Sequence, residues 1–102
     1  MDIQLKKGLL EVCVLAELQR QDSYRYQIVK DISHIIEISE STLYPILKRL
    51  EKKNYLTTYT KEYESRLRKY YRITAEGKIR IVEFCNEWQA VNDVIDFIKG
   101  HK

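Results

Sequence analysis

The 102-residue sequence is poor in the residues that build disulfides, metal sites and catalytic centres, with two cysteines, two histidines and one tryptophan. It has no P-loop, no HExxH or GxSxG motif and no close group of cysteines and histidines, so it predicts no enzyme, no metal site and no cofactor. The cysteines lie far apart, each in an apolar helical pattern, and we therefore expect two buried free thiols in a reducing compartment.

Long hydrophobic runs are also missing. No apolar stretch approaches the ~20 residues that span a bilayer, and no small-residue cleavage site follows the apolar N-terminal segment. We therefore expect a cytoplasmic protein without a membrane partner. A hydrophobic content of 44% with a charged content of 32% is typical of a folded globular chain, and the length is that of one domain.

Positive charge concentrates in the middle of the chain. Residues 41–80 contain eleven Lys and Arg against four Glu, a net charge of +7, whereas the whole chain carries +3 and the remainder therefore −4. A basic middle between acidic ends is the pattern expected of a surface that binds a polyanion. The alternative is a merely solvated surface, on which the two signs would mix more evenly.

The stretch TLYPILKRL, residues 42–50, has the spacing of an amphipathic helix. Intervals of three and four place four apolar residues on one face: Leu43, Ile46, Leu47 and Leu50. The outer face and its edge then carry Ser41, Thr42, Tyr44, Pro45, Lys48 and Lys52. A proline inside a helix costs ~3 kcal/mol, but near the helix start few N–H groups have a partner to lose, so Pro45 is tolerated there.

Three further helices and two strands are predicted around this segment. The helices cover residues 3–20, 24–33 and 75–99, while the TLYP helix runs to about residue 53. Capping residues are expected before the second, third and last helices, namely Asp22 or Ser23, Ser39 or Ser41, and Thr74. Tyrosine- and threonine-rich stretches at 55–63 and 67–74 predict two strands, and the turn between them lacks Gly, Pro and Asn.

The last helix carries a heptad pattern that is too long for its own domain. Its apolar residues recur at Ile81, Phe84, Trp88, Val91, Ile95 and Ile98. Roughly 26 residues at 1.5 Å each give ~39 Å, more than the ~26 Å diameter of a compact domain of this length. The first helix is apolar around most of its circumference as well. A second copy of the chain is the expected cover for both helices, with those six residues as the dimer interface.

These elements predict a mainly α (α+β) fold, a winged helix-turn-helix with a long C-terminal dimerisation helix. Residues 1–73 would form the DNA-binding domain and residues 74–102 the dimerisation helix. The third helix would enter the major groove of double-stranded DNA, and the basic hairpin would reach phosphates or the minor groove. The predicted DNA-binding residues are Tyr24, Ser41, Thr42, Tyr44, Lys48, Lys52, Arg66, Arg68 and Lys69.

Two segments, STLYPILKRLEKKNYLTTYTKE and RKYYRITAEGK, resemble the PadR-type transcriptional regulators. The resemblance covers the whole chain, with one C-terminal helix as in the short-tailed branch of that family. It implies a dimeric repressor whose DNA contacts come, by motif match, from Thr42, Tyr44, Lys48, Arg68 and Lys69. Ser41 and Arg25 stand where the family often has Gly.

The stretch FCNEWQAVNDVIDFI is similar to one in family members related to multidrug resistance, which bind flat aromatic compounds between paired tryptophans at the dimer centre. The resemblance implies a small aromatic or cationic effector that releases the repressor from DNA, with Leu9, Val12, Cys13, Trp88 and Asp93 as ligand-binding residues. The alternative is that Trp88 is a bulky residue of the dimer core. Two other classes stay open, a helix-mediated protein-interaction module and a drug-sequestering protein, neither of which would bind DNA.

Overall fold

The structure, a computed structural model, describes residues 2–101 apart from the side chain of Ile3. Its elements are, in chain order, α1 (Ile3–Arg20), α2 (Arg25–Ile32), α3 (Glu40–Lys52), β1 (Leu56–Tyr63), β2 (Arg66–Ile73) and α4 (Ala75–Lys99). The two strands pair antiparallel and form the wing. The predicted fold class, mainly helical with a two-stranded wing and a long C-terminal helix, is confirmed.

The first three helices and the base of the wing share one apolar core. Its buried members are Leu10, Val14, Leu15, Leu18, Ile28, Ile32, Ile38, Leu43, Ile46, Leu47, Leu50, Leu56 and Tyr71. The four residues predicted for the inner face of α3 are between 0% and 2% exposed. Burying a side chain of this size contributes about 1.5–3 kcal/mol relative to leaving it in water. This face therefore determines how α3 is rotated about its axis.

Local side-chain caps begin α3 and α4 as predicted. The Ser39 hydroxyl accepts a hydrogen bond from the backbone N–H of Thr42 at 3.3 Å. The Thr74 hydroxyl accepts one from the N–H of Gly77 at 3.0 Å. Each cap satisfies one of the N–H groups that a helix start leaves without an intrahelical partner.

The cap predicted for α2 is wrong. The capping position is Tyr24, which makes no side-chain hydrogen bond to the helix start. Ser23 instead pairs through its backbone with Tyr71 and adds a one-residue bridge beside β2. The Asp22 carboxylate is turned toward the wing, where it accepts hydrogen bonds from side chains of both strands. Contacts between segments distant in sequence displace the local cap here.

The tip of the wing is a two-residue turn made without glycine. Tyr63 pairs with Arg66, so only Glu64 and Ser65 join the strands. Their φ angles are 51° and 66°, the left-handed backbone of a type I′ hairpin turn. Residues other than Gly, Asn and Asp adopt this conformation at a cost of roughly 1–2 kcal/mol each, which the pairing of two eight-residue strands offsets.

Helix α4 extends well beyond the rest of the molecule. With α4 included, the described chain measures 59 × 26 × 21 Å. Its first half packs on the body, and Ile81, Phe84 and Trp88 are half-buried. Farther along, Val91, Ile95 and Ile98 are 42%, 36% and 74% exposed. None of the helices within residues 2–101 is long and apolar enough to cross a membrane.

The expectation of two buried thiols is wrong for one cysteine. Both cysteines are free, but Cys13 is half-buried and Cys85 is exposed. Cys85 lies on a side of α4 that the rest of the described chain leaves uncovered, whereas Cys13 packs against the core from α1. The apolar pattern around Cys85 indicated a helix correctly but did not indicate which side of that helix is covered.

One ionisable side chain is buried in the helical body. Glu17 of α1 is 7% exposed and lies beside Asp31 of α2, which also accepts a hydrogen bond from the Gln27 amide at 2.8 Å. Burial raises the pKa of Glu17, and the Asp31 carboxylate raises it further, while Arg20 acts in the opposite direction. Hydrogen bonding from Glu17 lowers the pKa of Asp31. Of the two carboxyl groups, Glu17 is therefore the one that keeps its proton to the higher pH.

Replacing Glu17→Gln should stabilise the fold at neutral pH. The unfolded chain releases the Glu17 proton at a lower pH than the folded chain does, so this group costs stability as the pH rises above ~4. An amide can donate the same hydrogen bond to Asp31 without ionising. The unfolding free energies of wild type and Glu17→Gln, measured in urea, should coincide near pH 4 and diverge toward pH 8 in favour of the variant.

The exposed Glu62→Gln variant is the control and should follow the wild-type profile. A Glu17→Gln profile parallel to that of the wild type at every pH would mean that Glu17 is ionised normally in the folded protein.

Candidate nucleic-acid interface

The outer face of α3 carries a group of exposed hydroxyl and basic side chains. The predicted contact residues on this helix are all exposed: Ser41, Thr42, Tyr44, Lys48 and Lys52. At the helix start the Ser39 hydroxyl lies 3.0 Å from that of Ser41 and 3.1 Å from that of Thr42. Short hydroxyl side chains let a helix start approach base edges closely, and the lysines one and two turns later can meet phosphates.

Pro45 is the sixth residue of α3 and is exposed. Its ring nitrogen cannot donate to the carbonyl of Ser41, so one helical hydrogen bond is lost. That carbonyl belongs to an exposed residue and can bind water instead. The proline is therefore tolerated at the cost of one exposed bond and leaves the buried face intact.

Two cations lie over the ring of Tyr44. The Arg25 guanidinium carbon lies 4.9 Å from the centre of its ring, and the Lys48 ammonium lies 5.3 Å from it. Such contacts contribute about 0.5–1 kcal/mol at exposed sites. Arg25, the first residue of α2, was not among the predicted DNA-binding residues. Only packing of α2 against α3 brings it to Tyr44, and no local pattern signals that contact.

The predicted wing residues divide between two faces of the hairpin. Neighbouring residues of a strand point to opposite sides, so Arg66 and Arg68 share one face and Lys69 lies on the other. The Arg68 guanidinium lies 3.9 Å from the ring centres of both Tyr24 and Tyr63. Tyr24, itself a predicted contact, is half-buried against the base of the wing and supports Arg68.

The base of the wing is tied to the body through Asp22. Its Oδ2 atom accepts hydrogen bonds from the Tyr59 hydroxyl at 2.7 Å and from Nε of Arg72 at 3.0 Å. The bond to Asp22 raises the pKa of Tyr59 and that of Arg72. One carboxylate thus joins the turn between α1 and α2 to both strands of the wing, which restricts the angle at which the wing leaves the body.

A groove of about 680 Å³ runs along the other edge of α3, toward the start of α1. The residues that line it include Lys6, Lys7 and Arg49 together with Pro45 and Ile46. Arg49 is engaged with Glu11 at 3.0 Å, and Lys6 lies 3.8 Å from Glu37. Lys7 is exposed and adds positive charge beside the outer face of α3. These α1 lysines were not among the predicted residues, because α1 was assigned to the core and the dimer.

The predicted ligand-binding residues lie on the two helices that pack together, α1 and α4. Leu9, Val12, Cys13 and Trp88 are all half-buried, and Asp93 is exposed farther along α4. The Trp88 ring lies 6.0 Å from that of Phe84. Within residues 2–101, no three His, Cys, Asp or Glu side chains lie close enough to hold a metal ion.

Three helices with an exposed basic third helix, followed by a basic hairpin, define a winged helix-turn-helix protein. The chain belongs to the transcriptional regulator PadR-like family, whose sequence model matches residues 14–83. The resemblance noted in the TLYP and KYYRIT segments is thereby confirmed.

Solved structures agree with this assignment. A transcriptional regulator from Clostridium thermocellum is 36% identical, with 94% of this chain and 95% of that chain covered and a TM-score of 0.84. A PadR family transcriptional regulator from Eggerthella lenta is 34% identical, with 98% and 89% covered and a TM-score of 0.84. Bacillus subtilis PadR, solved in complex with operator DNA, is 22% identical with a TM-score of 0.70 over 76% of this chain and 46% of that one. That last structure shares the fold.

Proposed function

We propose that the protein is a homodimeric transcriptional repressor that binds a pseudo-palindromic DNA operator through α3 and the wing. The observation that carries this proposal is the outer face of α3, where the exposed side chains of Ser41, Thr42 and Tyr44 precede those of Lys48 and Lys52. Neither lysine makes a salt bridge within the described residues, so both charges are available to phosphates. The operator complex of Bacillus subtilis PadR supports the same use of the fold.

Substitutions on α3 should separate base recognition from phosphate binding. Tyr44→Ala should lower discrimination between a selected site and random duplex by roughly 1–3 kcal/mol, the usual contribution of one good base contact. Lys48→Gln with Lys52→Gln should instead weaken binding to every duplex. It should also flatten the plot of log affinity against log salt by about 0.9 for each phosphate that is no longer neutralised. Fluorescence anisotropy with duplexes selected by the wild type from a random pool measures both effects.

Unchanged affinity and salt dependence in both variants would rule out α3 as the DNA-binding element. A wild type that selects no duplex at any salt concentration would favour a protein-interaction or drug-sequestering module instead.

The uncovered half of α4 supports the proposed dimer. Val91, Ile95 and Ile98 continue the line of Ile81, Phe84 and Trp88 beyond the body, where nothing in residues 2–101 covers them. Apolar side chains exposed together along a helix mark an interaction site, and a heptad spacing fits a second helix of the same kind. Two copies paired along α4 would also set two α3 helices at a fixed separation on the operator.

Charges placed in this seam should break the dimer. Val91→Asp with Ile95→Asp would bury unpaired carboxylates, each costing several kcal/mol unless it is neutralised. Analytical ultracentrifugation should then report monomer or aggregate in place of dimer. Asn86→Asp with Gln89→Glu adds the same charge away from the seam and should leave the dimer intact. A Val91→Asp, Ile95→Asp protein that stays dimeric with unchanged stability would contradict the assignment.

The same dimer gives Trp88 a role in effector binding. In the proposal, the two Trp88 rings flank an aromatic compound at the dimer centre, with Leu9, Val12 and Cys13 as apolar walls and Asp93 favouring a cation. Each well-placed aromatic pair contributes ~0.5–1.5 kcal/mol beyond area burial. Release from DNA additionally requires that the compound bind the free and operator-bound forms with different affinity.

Planar cationic dyes should quench the fluorescence of Trp88, the single tryptophan of the chain. Trp88→Ala should abolish tight dye binding and leave a dimer that still binds DNA, because the effector site and α3 are separate. Dye titrations and sedimentation of the same variant measure the two properties. If no dye perturbs the fluorescence and Trp88→Ala dissociates the dimer, then Trp88 is a core residue and not part of a sensor.

A further inference from the structure

The groove between α1 and α3 has an aliphatic lining. Its volume of about 680 Å³ lies within the range of roughly 300–1,000 Å³ that is usual for small-molecule sites. The apolar residues that line it are Leu10, Ile38, Pro45 and Ile46, and no aromatic side chain lines it within residues 2–101. The groove therefore offers a surface for an aliphatic chain but no ring on which a flat aromatic compound could stack.

Positive charge in the groove exceeds negative charge. Lys6, Lys7 and Arg49 line it together with one carboxylate, that of Glu37. Arg49 is paired with Glu11 at 3.0 Å, whereas Lys7 makes no salt bridge within residues 2–101. Lys6 lies 3.8 Å from Glu37, whose side chain is 95% exposed, and so exposed a pair contributes little. An anion that enters the groove therefore meets one free ammonium group and a second one that is weakly held.

The groove is separate from the surfaces assigned to the dimer and to the aromatic effector. Leu9, Val12 and Trp88 are not among the residues that line it. Val12 follows Leu10 by two residues, or about 200° around α1. The side of α1 proposed for the dimer centre is thus nearly opposite the side that lines the groove, and a ligand in the groove does not need the α4 seam.

The groove and the outer face of α3 share Thr42. Its side chain lines the groove and is exposed at the start of α3. The Thr42 hydroxyl lies 3.1 Å from that of Ser39, which lines the groove as well. A negatively charged ligand held by Lys6 and Lys7 would therefore lie beside the helix start that DNA approaches. Because like charges repel, such a ligand and a DNA phosphate should exclude each other there.

We propose that the groove binds an aliphatic carboxylate, which competes with DNA for the start of α3. The chain of the ligand lies against Leu10, Ile38 and Ile46, and its carboxylate binds the ammonium groups of Lys6 and Lys7. The lining favours a chain over a flat ring, and the two lysines favour an anion over a cation. The competition rests on the proposed function, since it requires a duplex seated on α3, whereas binding of the carboxylate does not.

Calorimetric titration with octanoate and decanoate, below the concentrations at which they form micelles, tests the binding. Decanoate should bind more tightly than octanoate by up to about 15-fold, because each fully buried methylene contributes roughly a factor of four. Decyltrimethylammonium has the same chain and the opposite charge and should not displace decanoate. The fluorescence of Trp88 should not change as decanoate binds, because the groove is separate from that residue.

The variant Lys6→Gln, Lys7→Gln should weaken decanoate binding by roughly tenfold or more, the usual loss for hydrogen bonds to a charged group. Lys30→Gln with Lys78→Gln is the matched control, because it removes the same charge from exposed lysines of α2 and α4. The control should bind decanoate like the wild type. Thermal unfolding of both variants checks that each is folded.

Competition is measured by fluorescence anisotropy at constant ionic strength, with a duplex that the wild type selects from random DNA. Decanoate at a concentration equal to its own dissociation constant should raise the apparent dissociation constant for the duplex at least twofold, by mass action. The same concentration should have a smaller effect on the Lys6→Gln, Lys7→Gln variant, because less of that protein carries the ligand.

The outcomes separate this inference from the proposed function. A wild type that binds neither carboxylate, or that binds decanoate without affecting duplex affinity, overturns the inference alone. Decanoate binding that survives Lys6→Gln, Lys7→Gln, or that quenches Trp88, also overturns it, because the ligand then lies elsewhere. A change in the sedimentation of the ligand-free variant would overturn it as well, since the groove would then join two copies of the chain. A wild type that binds decanoate through the two lysines but selects no duplex overturns the proposed function and the competition, and supports the carboxylate site.

Discussion

The orientation of the outer face of α3 depends on the burial of four side chains on the same helix. With Leu43, Ile46, Leu47 and Leu50 all but fully buried, the helix has one permitted rotation. Truncating any one of them to alanine would cost about 2–5 kcal/mol, a large part of the stability of a domain of this size. Because helical residues follow one another at 100°, the same constraint turns the hydroxyl and lysine side chains outward. The exposed surface is in this sense a consequence of the core.

A second set of contacts, centred on Thr74, fixes the wing and α4 relative to the end of α3. The Thr74 hydroxyl donates to the carbonyl of Asn54 at 2.6 Å while it accepts from Gly77, so the end of the wing, the exit of α3 and the start of α4 meet at one residue. A Cβ atom on Gly77 would collide with the carbonyl oxygen of Tyr55 and with the side chain of Ile73. Glycine is required there for α4 to approach so closely. A change in the direction of α4 would therefore move the residues at the base of the wing.

Tyrosine is used in this protein mainly to hold cations in place. Arg68 and Arg72 on the wing and Arg25 beside α3 are each stacked on a tyrosine ring. A stacked arginine keeps its charge and its edge donors while losing much of its rotational freedom. The basic surface is consequently more rigid than its lysine and arginine content alone would indicate, and its geometry follows from where the rings are anchored.

The sequence alone determined the features that depend on neighbours a few residues apart. Periodicity located all four helices, Ser39 and Thr74 were recognisable as caps, and the buried and exposed faces of α3 followed from 100° spacing. The tertiary structure decided what depends on distant segments. Asp22 serves the wing, 50 residues away at Arg72, rather than capping α2. Arg25 meets Tyr44 only because α2 packs on α3, and Glu64 and Ser65 adopt left-handed backbone only because the strands pair around them. Local hydrogen bonds and helical spacing depend on residues within one or two helical turns of each other, so the sequence shows them directly. Tertiary packing instead brings together residues that are far apart in the sequence and that no local pattern connects.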